Sequence, residues 1–254
     1  MKNNKPIWMK RSTSGAVAPS ASGRKKIFVG TPAYEGRVHV HYAMMLLDLQ
    51  KILESQGYDV DVRLPVGGSL LVADRNRIIQ MFWETKADYL LCIDSDIAFD
   101  PNYILRFIEQ MEKTDKDFIG GVYPSRDGQG FNFRPAQEED DKIVQCKETG
   151  LLKMEYIPAG CMLLTRNAIK KMRDHFPELY YSPKDKRSKA ESAFCFFDTE
   201  VWNGEFWGED YVFCRRVREA GFDVWVDPTI VFNHAGVTGA LMETLTDKKE
   251  QADK

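Results

Sequence analysis

The chain has 254 residues, 43% of them hydrophobic and 29% charged, with a formal net charge of −3 and a pI near 5.9. That balance belongs to a folded chain long enough for a sizeable core, and it excludes disordered and fibrous classes. The mild acidity argues against a protein built chiefly to coat nucleic acid, and no run approaches the roughly 18 apolar residues of a bilayer span.

Residues 1–24 read as a flexible basic tail. Seven basic residues and no acidic one fall between Met1 and Lys26, and Ser12–Gly23 is rich in Ser, Ala and Gly. Such a tail serves solubility or touches the phosphates of a polyanion. The opening residues lack the apolar core of a secretory signal. The five cysteines form no CxxC pair, and most sit in apolar runs, which predicts buried free thiols. A cytoplasmic, reducing location follows as the expectation.

KIFVG (26–30) predicts a first strand, followed by the loop TPAYEGR and a helix from about Val38 to Gln56, stopped by Gly57. The apolar positions of that helix are Met44, Met45, Leu47, Leu49, Ile52 and Leu53. Tyr58–Leu64 alternates as a half-buried strand, and Leu70–Thr85 reads as a second helix. YLLCI (89–93) is a continuous apolar run, the pattern of a central buried strand. Asp100-Pro101 opens a third helix, with Asp as cap and Pro in the first turn. Phe118–Tyr123 is a fourth strand.

This alternation predicts an α/β doubly wound, Rossmann-like mixed sheet with helices on both faces, built as a single compact domain. Past residue 124 the pattern changes. Residues 124–150 are polar and loop-rich, and Leu151–Thr165 carries two strand-like runs broken at Pro158-Ala-Gly160. A polar insertion covers about 177–192. A helix from about Glu209 to Ala220 ends at Gly221, and the short strands DVWV and TIVF follow. Residues 241–254 form a charged C-terminal tail.

The strongest chemical feature is Asp94-Ser95-Asp96, directly after YLLCI. In parallel α/β sheets ligands gather at the carboxyl ends of strands, and two carboxylates there suit Mn²⁺ or Mg²⁺ sharing diphosphate oxygens. His234 follows the last strand and is a candidate third ligand. Glu209-Asp210 opens a helix, where the helix dipole favours acidic side chains; a carboxylate there also serves as a general base toward a hydroxyl. Before this pair, Gly208 allows close approach of an acceptor, and Trp207 offers an apolar face for stacking. Tyr34 and Glu35 in the first loop suit a base and ribose. Asp74-Arg75-Asn76 is a polar cluster in a helix, with Arg75 fit to pair with a carboxylate or diphosphate. His39 and His41 fall at a helix start, where alternate residues diverge, and are not read as ligands.

Taken together, TPAYE, ADRN, LLCIDSDIAFDP, GGVYP, IPAGCMLLTR, WGEDYVFCRRVREAGFDVWVDP and FNHAG resemble the GT-A glycosyltransferases, most nearly the small stand-alone family-2-like enzymes. The resemblance spans about residues 26–236. It implies a nucleotide-sugar-binding half at 25–123 and an acceptor-binding, catalytic half at 124–240. It implies transfer of a sugar, with inversion, from a nucleotide diphosphate donor (UDP favoured over GDP) to an acceptor hydroxyl. By resemblance Asp94, Asp96 and His234 hold Mn²⁺ or Mg²⁺, and Asp210 is the base with Glu209 as fallback. Thr31, Pro32, Tyr34, Glu35, Asp74, Arg75, Asp94 and Ser95 line the nucleotide, Gly160 lies under the donor sugar, and Trp207 and Gly208 face the acceptor. The apolar C-terminal anchor of many membrane-associated relatives has no counterpart, so a saccharide, a protein or a hydroxymethylated base in DNA is expected as acceptor rather than a lipid. A non-catalytic sugar or nucleic-acid binder is the alternative. Two rival patterns fail: Ala98 breaks the DxDx[TV] motif of haloacid-dehalogenase phosphatases, and GTPAYEG does not satisfy GxGxxG.

Overall fold

The run KIFVG forms β1 (Lys26–Gly30), with Ile27, Phe28 and Val29 sealed from solvent. In the computed structural model, which describes residues 23–137, 142–182 and 193–241, it is followed by α1 (Val40–Ser55), β2 (Asp59–Arg63), α2 (Leu71–Thr85) and β3 (Tyr89–Ile93). Next come β4 (Ile97–Phe99), α3 (Asn102–Thr114), β5 (Phe118–Gly120), β6 (Arg134–Pro135), β7 (Leu152–Tyr156), β8 (Cys161–Thr165) and α4 (Arg166–His175). The chain closes through β9 (Tyr180–Tyr181), β10 (Ala193–Phe194), β11 (Glu200–Trp202), β12 (Glu205–Trp207), α5 (Glu209–Glu219), β13 (Val224–Val226), β14 (Val231–His234) and β15 (Val237–Ala240). The expected tails and the centre of the polar insertion fall at residues 1–22, 183–192 and 242–254, outside the described residues.

Eight strands make one mixed sheet in the order β2-β1-β3-β8-β5-β13-β7-β6. β1 runs parallel to β2 and β3, whereas β8 is antiparallel to both β3 and β5. Alternation along the strands divides the core between two faces. Phe28, Leu90 and Cys92 meet Ile78 and Phe82 of α2, Met172 of α4 and Phe213 of α5. Ile27, Val29 and Leu91 meet Leu49 of α1 and Phe107 of α3 on the other side. The mixed sheet with helices on both faces is therefore the observed fold. β8 comes from the second half of the chain yet lies between two strands of the first, so both halves share this sheet.

Several local details follow from side-chain chemistry. α1 ends in a Schellman motif: Gly57 takes φ +86°, its N–H donates to Glu54 O, and the Tyr58 N–H donates to Leu53 O. The N-cap of α3 is Pro101 rather than the expected Asp100, whose Oδ1 nonetheless accepts the Asn102 N–H at 2.9 Å. The burial stripe of α1 is Tyr42, Met45, Leu49 and Leu53, so Met44 and Leu47, expected in its apolar set, face solvent. All five cysteines are free; Cys92, Cys161 and Cys214 are buried as expected, but Cys146 and Cys195 are half-exposed.

A small antiparallel sheet, β15-β14-β4, sits at the end of β3. Gly121 permits it to close on the main sheet, because a Cβ there would lie 2.2 Å from the Phe232 ring of β14. Gly121→Ala is expected to cost about 1–3 kcal/mol by overpacking, measured as a lower urea midpoint at unchanged slope.

Candidate active site

The turn Asp94-Ser95-Asp96 leaves the carboxyl end of β3, beside the loop that leaves β1. Three backbone hydrogen bonds fix it: Asp94 N–H donates to Gly160 O at 3.0 Å, Ser95 O accepts from His39 N–H at 2.9 Å, and Asp96 O accepts from Ala235 N–H at 2.9 Å. The β4–β14 register pairs His234 with Ile97 and so delivers the imidazole to Asp96, with Nε2 lying 3.5 Å from Asp96 Oδ2. His234 Nδ1 lies 2.7 Å from Pro124 O. A carbonyl only accepts, so Nδ1 carries the proton of that bond, and Nε2 faces the carboxylate, presenting a lone pair there in the neutral ring. Tyr123 holds the ring edge-on at 5.0 Å. Between the two acceptors lies the Arg126 guanidinium, whose Nε donates to His234 Nε2 at 3.2 Å and whose Nη2 pairs with Asp96 Oδ2.

Arg75 of α2 is buried, and its charge is the hub of the site. Burial alone would weaken the guanidinium, but Asp94 outweighs that and holds it more firmly protonated than usual. Nη2 donates to Asp94 Oδ2 at 3.1 Å and Nη1 to Ala159 O at 3.3 Å, while Nε lies 3.7 Å from Glu209 Oε1. Asp94 Oδ1 is also within 3.0 Å of Nη2, but hydrogen-bond geometry is met only at Oδ2. Asp94 Oδ1 and Arg75 Nε are thus buried without a hydrogen bond. The polar cluster in α2 divides its labour. Asn76 clamps the Phe197 backbone with two bonds of 2.8 and 2.9 Å, and the Asp74 carboxylate packs on Gly68, where a Cβ would lie 1.9 Å from Oδ2. Of the three, only Arg75 lines the cleft.

Gly208 caps α5 in an extended conformation and puts Glu209 and Asp210 in the first turn. Burial, reinforced by the charge of Glu209, pushes the Asp210 carboxyl up from 3.8 to about 6. Its Oδ1 accepts the Tyr211 N–H at 2.9 Å, which leaves Oδ2 for another partner. Arg75, Asp94, Arg126, Glu209, Asp210 and His234 together line an open cleft of about 250 Å³.

Other residues singled out in the sequence lie elsewhere. Thr31 and Pro32 are buried, and the Thr31 hydroxyl is 2.6 Å from the Tyr42 hydroxyl. Tyr34 and Glu35 are exposed outside the cleft, Glu35 pairing with Arg37 at 3.3 Å. Gly160 backs the cleft rather than lining it: its N–H donates to the Tyr123 hydroxyl at 2.8 Å, and a Cβ would lie 2.3 Å from that oxygen. Trp207 packs edge-on to Tyr156, whereas Val201 and Phe206 of the same hairpin are 73% and 75% exposed. Asp94 turns to Arg75 and Asp96 to Arg126, so no group of three or more His, Cys, Asp or Glu ligands converges among the described residues. The sequence reading missed Tyr123 and Arg126; their only signal was their place just after the strand FIG, at the same sheet edge.

Residues 63–173 match the model of Glycosyl transferase family 2, a segment running from the end of β2 through α4. A crystal structure of A197 from STIV aligns with TM-score 0.50 at 14% identity, covering 83% of this chain and 85% of that one. The chain has the GT-A, family-2-like fold. GalNAc-T7 with UDP, GalNAc and Mn²⁺ aligns at 12% identity and TM-score 0.42, over 83% of this chain and 44% of that one. A Drosophila β1,4-galactosyltransferase 7 mutant with manganese, UDP-Gal and xylobiose gives 15% and 0.45, over 83% and 70%. No curated protein matches significantly. Within this GT-A chain, no helix of the described residues is long and apolar enough to cross a membrane.

Removing Arg75 would leave Asp94 and Glu209 facing each other without a cation. Arg75→Ala is expected to lower the unfolding free energy by about 3 kcal/mol at pH 7, and Arg75→Lys by less, measured by denaturant titration.

Proposed function

We propose that this chain is a metal-dependent glycosyltransferase that moves a sugar from a nucleotide diphosphate donor, UDP-linked by preference, to an acceptor hydroxyl with inversion. The observation that carries the reading is the division of charge in the cleft. Asp96 and His234 present a carboxylate and an imidazole lone pair to one point, and Asp210 stands across the same cleft as a carboxylate with a raised proton affinity.

The donor set fits a divalent cation. Asp96 Oδ2 and His234 Nε2 are acceptors 3.5 Å apart that demand a positive charge between them, and Arg126 supplies one here. Oxygen and imidazole donors suit Mn²⁺ or Mg²⁺. Asp96 and His234 would hold the ion, whereas Asp94 is turned to Arg75 and does not converge with them. When bound, the ion supplies charge neutralisation for the departing diphosphate.

The rest is the work of the chain's own groups. The acceptor oxygen bonds to the anomeric carbon as the bond from that carbon to the diphosphate oxygen breaks, and the hydroxyl proton passes to Asp210 Oδ2. Glu209 is less suited as base because Arg75 already engages it. Arg75 meanwhile keeps Asp94 oriented at the donor side. Attack opposite the leaving group inverts the anomeric centre, so product of retained configuration would exclude this route.

Two outcomes are expected. Nucleotide release from a panel of UDP-, GDP- and dTDP-sugars with Mn²⁺ should occur for one nucleotide and vanish in Asp96→Ala. Metal-dependent nucleotide binding with no turnover on any acceptor would instead favour a sugar-binding module. Asp210→Asn should lower kcat roughly 10²- to 10⁴-fold. In the wild type, kcat/KM should fall below about pH 6, as Asp210 takes up its proton. The same variant should be more stable than wild type. The folded chain holds the Asp210 proton more tightly than the unfolded one, so stability from this group is complete below 3.8 and lost as pH rises through about 6. A gain of about 2 kcal/mol in Asp210→Asn at pH 8, closing toward pH 4, is the expected melting signature.

A further inference from the structure

Arg126 is a long side chain on an exposed loop, 70% accessible, yet its guanidinium is committed to the two most cation-demanding atoms of the cleft. The loop is a tight unit. Ser125 N–H donates to Gly130 O at 2.7 Å, Gly128 N–H donates to Ser125 O at 2.9 Å, and Gly128 and Gly130 take φ of +71° and +141°. The Ser125 and Asp127 side chains bond to each other at 2.5 Å, while the Arg126 guanidinium reaches across the cleft to Asp96 and His234. At the far end, Asp96 is buried and faces a histidine nitrogen lone pair. Two acceptors in that position repel unless a cation lies between them, and a guanidinium provides that charge at any accessible pH.

We propose that Arg126 is the resident cation of the metal site: it competes with the divalent ion for Asp96 and His234, and once displaced it engages the donor's diphosphate. The proposal rests on the metal-dependent reading above and adds a residue and an order of events to it. The same two atoms cannot serve both cations, so metal entry frees the guanidinium. It is then left on the rim of a cleft that opens beside Arg75, and its planar fork matches phosphate oxygens. Arg126 therefore weakens binding of the metal alone and strengthens binding of the nucleotide in the presence of metal. That is a coupling between two ligands built from one side chain.

The test needs no turnover. Mn²⁺ is titrated into wild type, Arg126→Ala and Asp96→Asn, and the free ion is followed by electron paramagnetic resonance with no nucleotide present. Arg126→Ala is expected to bind Mn²⁺ about tenfold tighter than wild type, the size of one charge-assisted contact removed from competition. Asp96→Asn should lose the site. At saturating Mn²⁺, calorimetry with UDP should then show Arg126→Ala binding about tenfold more weakly than wild type. Unchanged or weaker Mn²⁺ binding in Arg126→Ala, with the site lost in Asp96→Asn, overturns the role of Arg126 and leaves the metal site standing. Undiminished Mn²⁺ binding in Asp96→Asn overturns the metal reading and this proposal together. Tighter Mn²⁺ binding with unaltered UDP affinity overturns the transfer to the diphosphate. Because Arg126 is largely exposed, its truncation leaves the fold intact, which matched melting curves of the metal-free proteins would verify.

Discussion

One buried guanidinium organises this molecule. Arg75 rises from α2 into the sheet's carboxyl edge, where it meets Asp94 from the end of β3, Glu209 from the start of α5 and the carbonyl of Ala159 just before β8. A charge so enclosed is tolerated only with anions beside it, so each partner constrains the others. The elements it joins come from both ends of the chain. The ring of Phe197, 5.6 Å from the guanidinium carbon, closes the remaining side and stacks on Phe213 of α5. Asn76, the next residue of α2, fixes the backbone of that same Phe197. Positioning in the cleft and packing of the core are thus one problem solved by two consecutive residues of one helix.

The pairing also assigns roles to carboxylates that look equivalent in sequence. Asp94 and Glu209 share Arg75, and Asp96 has Arg126. Asp210 has no ion-pair partner among the described residues, and it is the cleft carboxylate whose proton affinity burial raises. A neighbouring anion with its own cation tunes a second carboxylate without competing for the same proton, the arrangement that general-base chemistry needs.

Elements whose pattern is local were legible from sequence. YLLCI read as a buried strand, and apolar spacing together with Gly57 and Gly221 placed α1, α2 and α5 to within two residues, whereas α4 was not read from the sequence. What eluded the reading depends on partners distant in the chain. The antiparallel direction of β8 is set by where the turn at Pro158–Gly160 returns it, between β3 and β5. The pairing of β4 with β14, which brings His234 to Asp96, spans more than 130 residues and leaves no periodic trace. Polar residues in a helix, such as Asp74 and Asn76, looked like ligands because sequence cannot distinguish a side chain facing a cleft from one clamping a backbone. Trp207 drew attention as a stacking face, although the hairpin's exposed apolar surface belongs to Val201, Trp202 and Phe206. Arg126 carries no motif at all; its meaning comes from the two acceptors that converge on it.

Several groups in the cleft are electrostatically unsettled. Asp94 Oδ1 and Arg75 Nε are buried without hydrogen bonds, Asp96 and a histidine lone pair face each other, and Asp210 is held away from its ordinary ionisation. Each is a local cost that the surrounding packing sustains, and costs of this kind gather where a ligand will relieve them. Their chemistry defines the ligand that would do so. A hard cation resolves Asp96 against His234, an anionic group resolves a displaced Arg126, and a hydroxyl proton resolves Asp210. A cation, a diphosphate and a hydroxyl are what sugar transfer from a nucleotide donor brings together. The unmet demands of the cleft and the proposed reaction thus describe the same three groups from opposite sides.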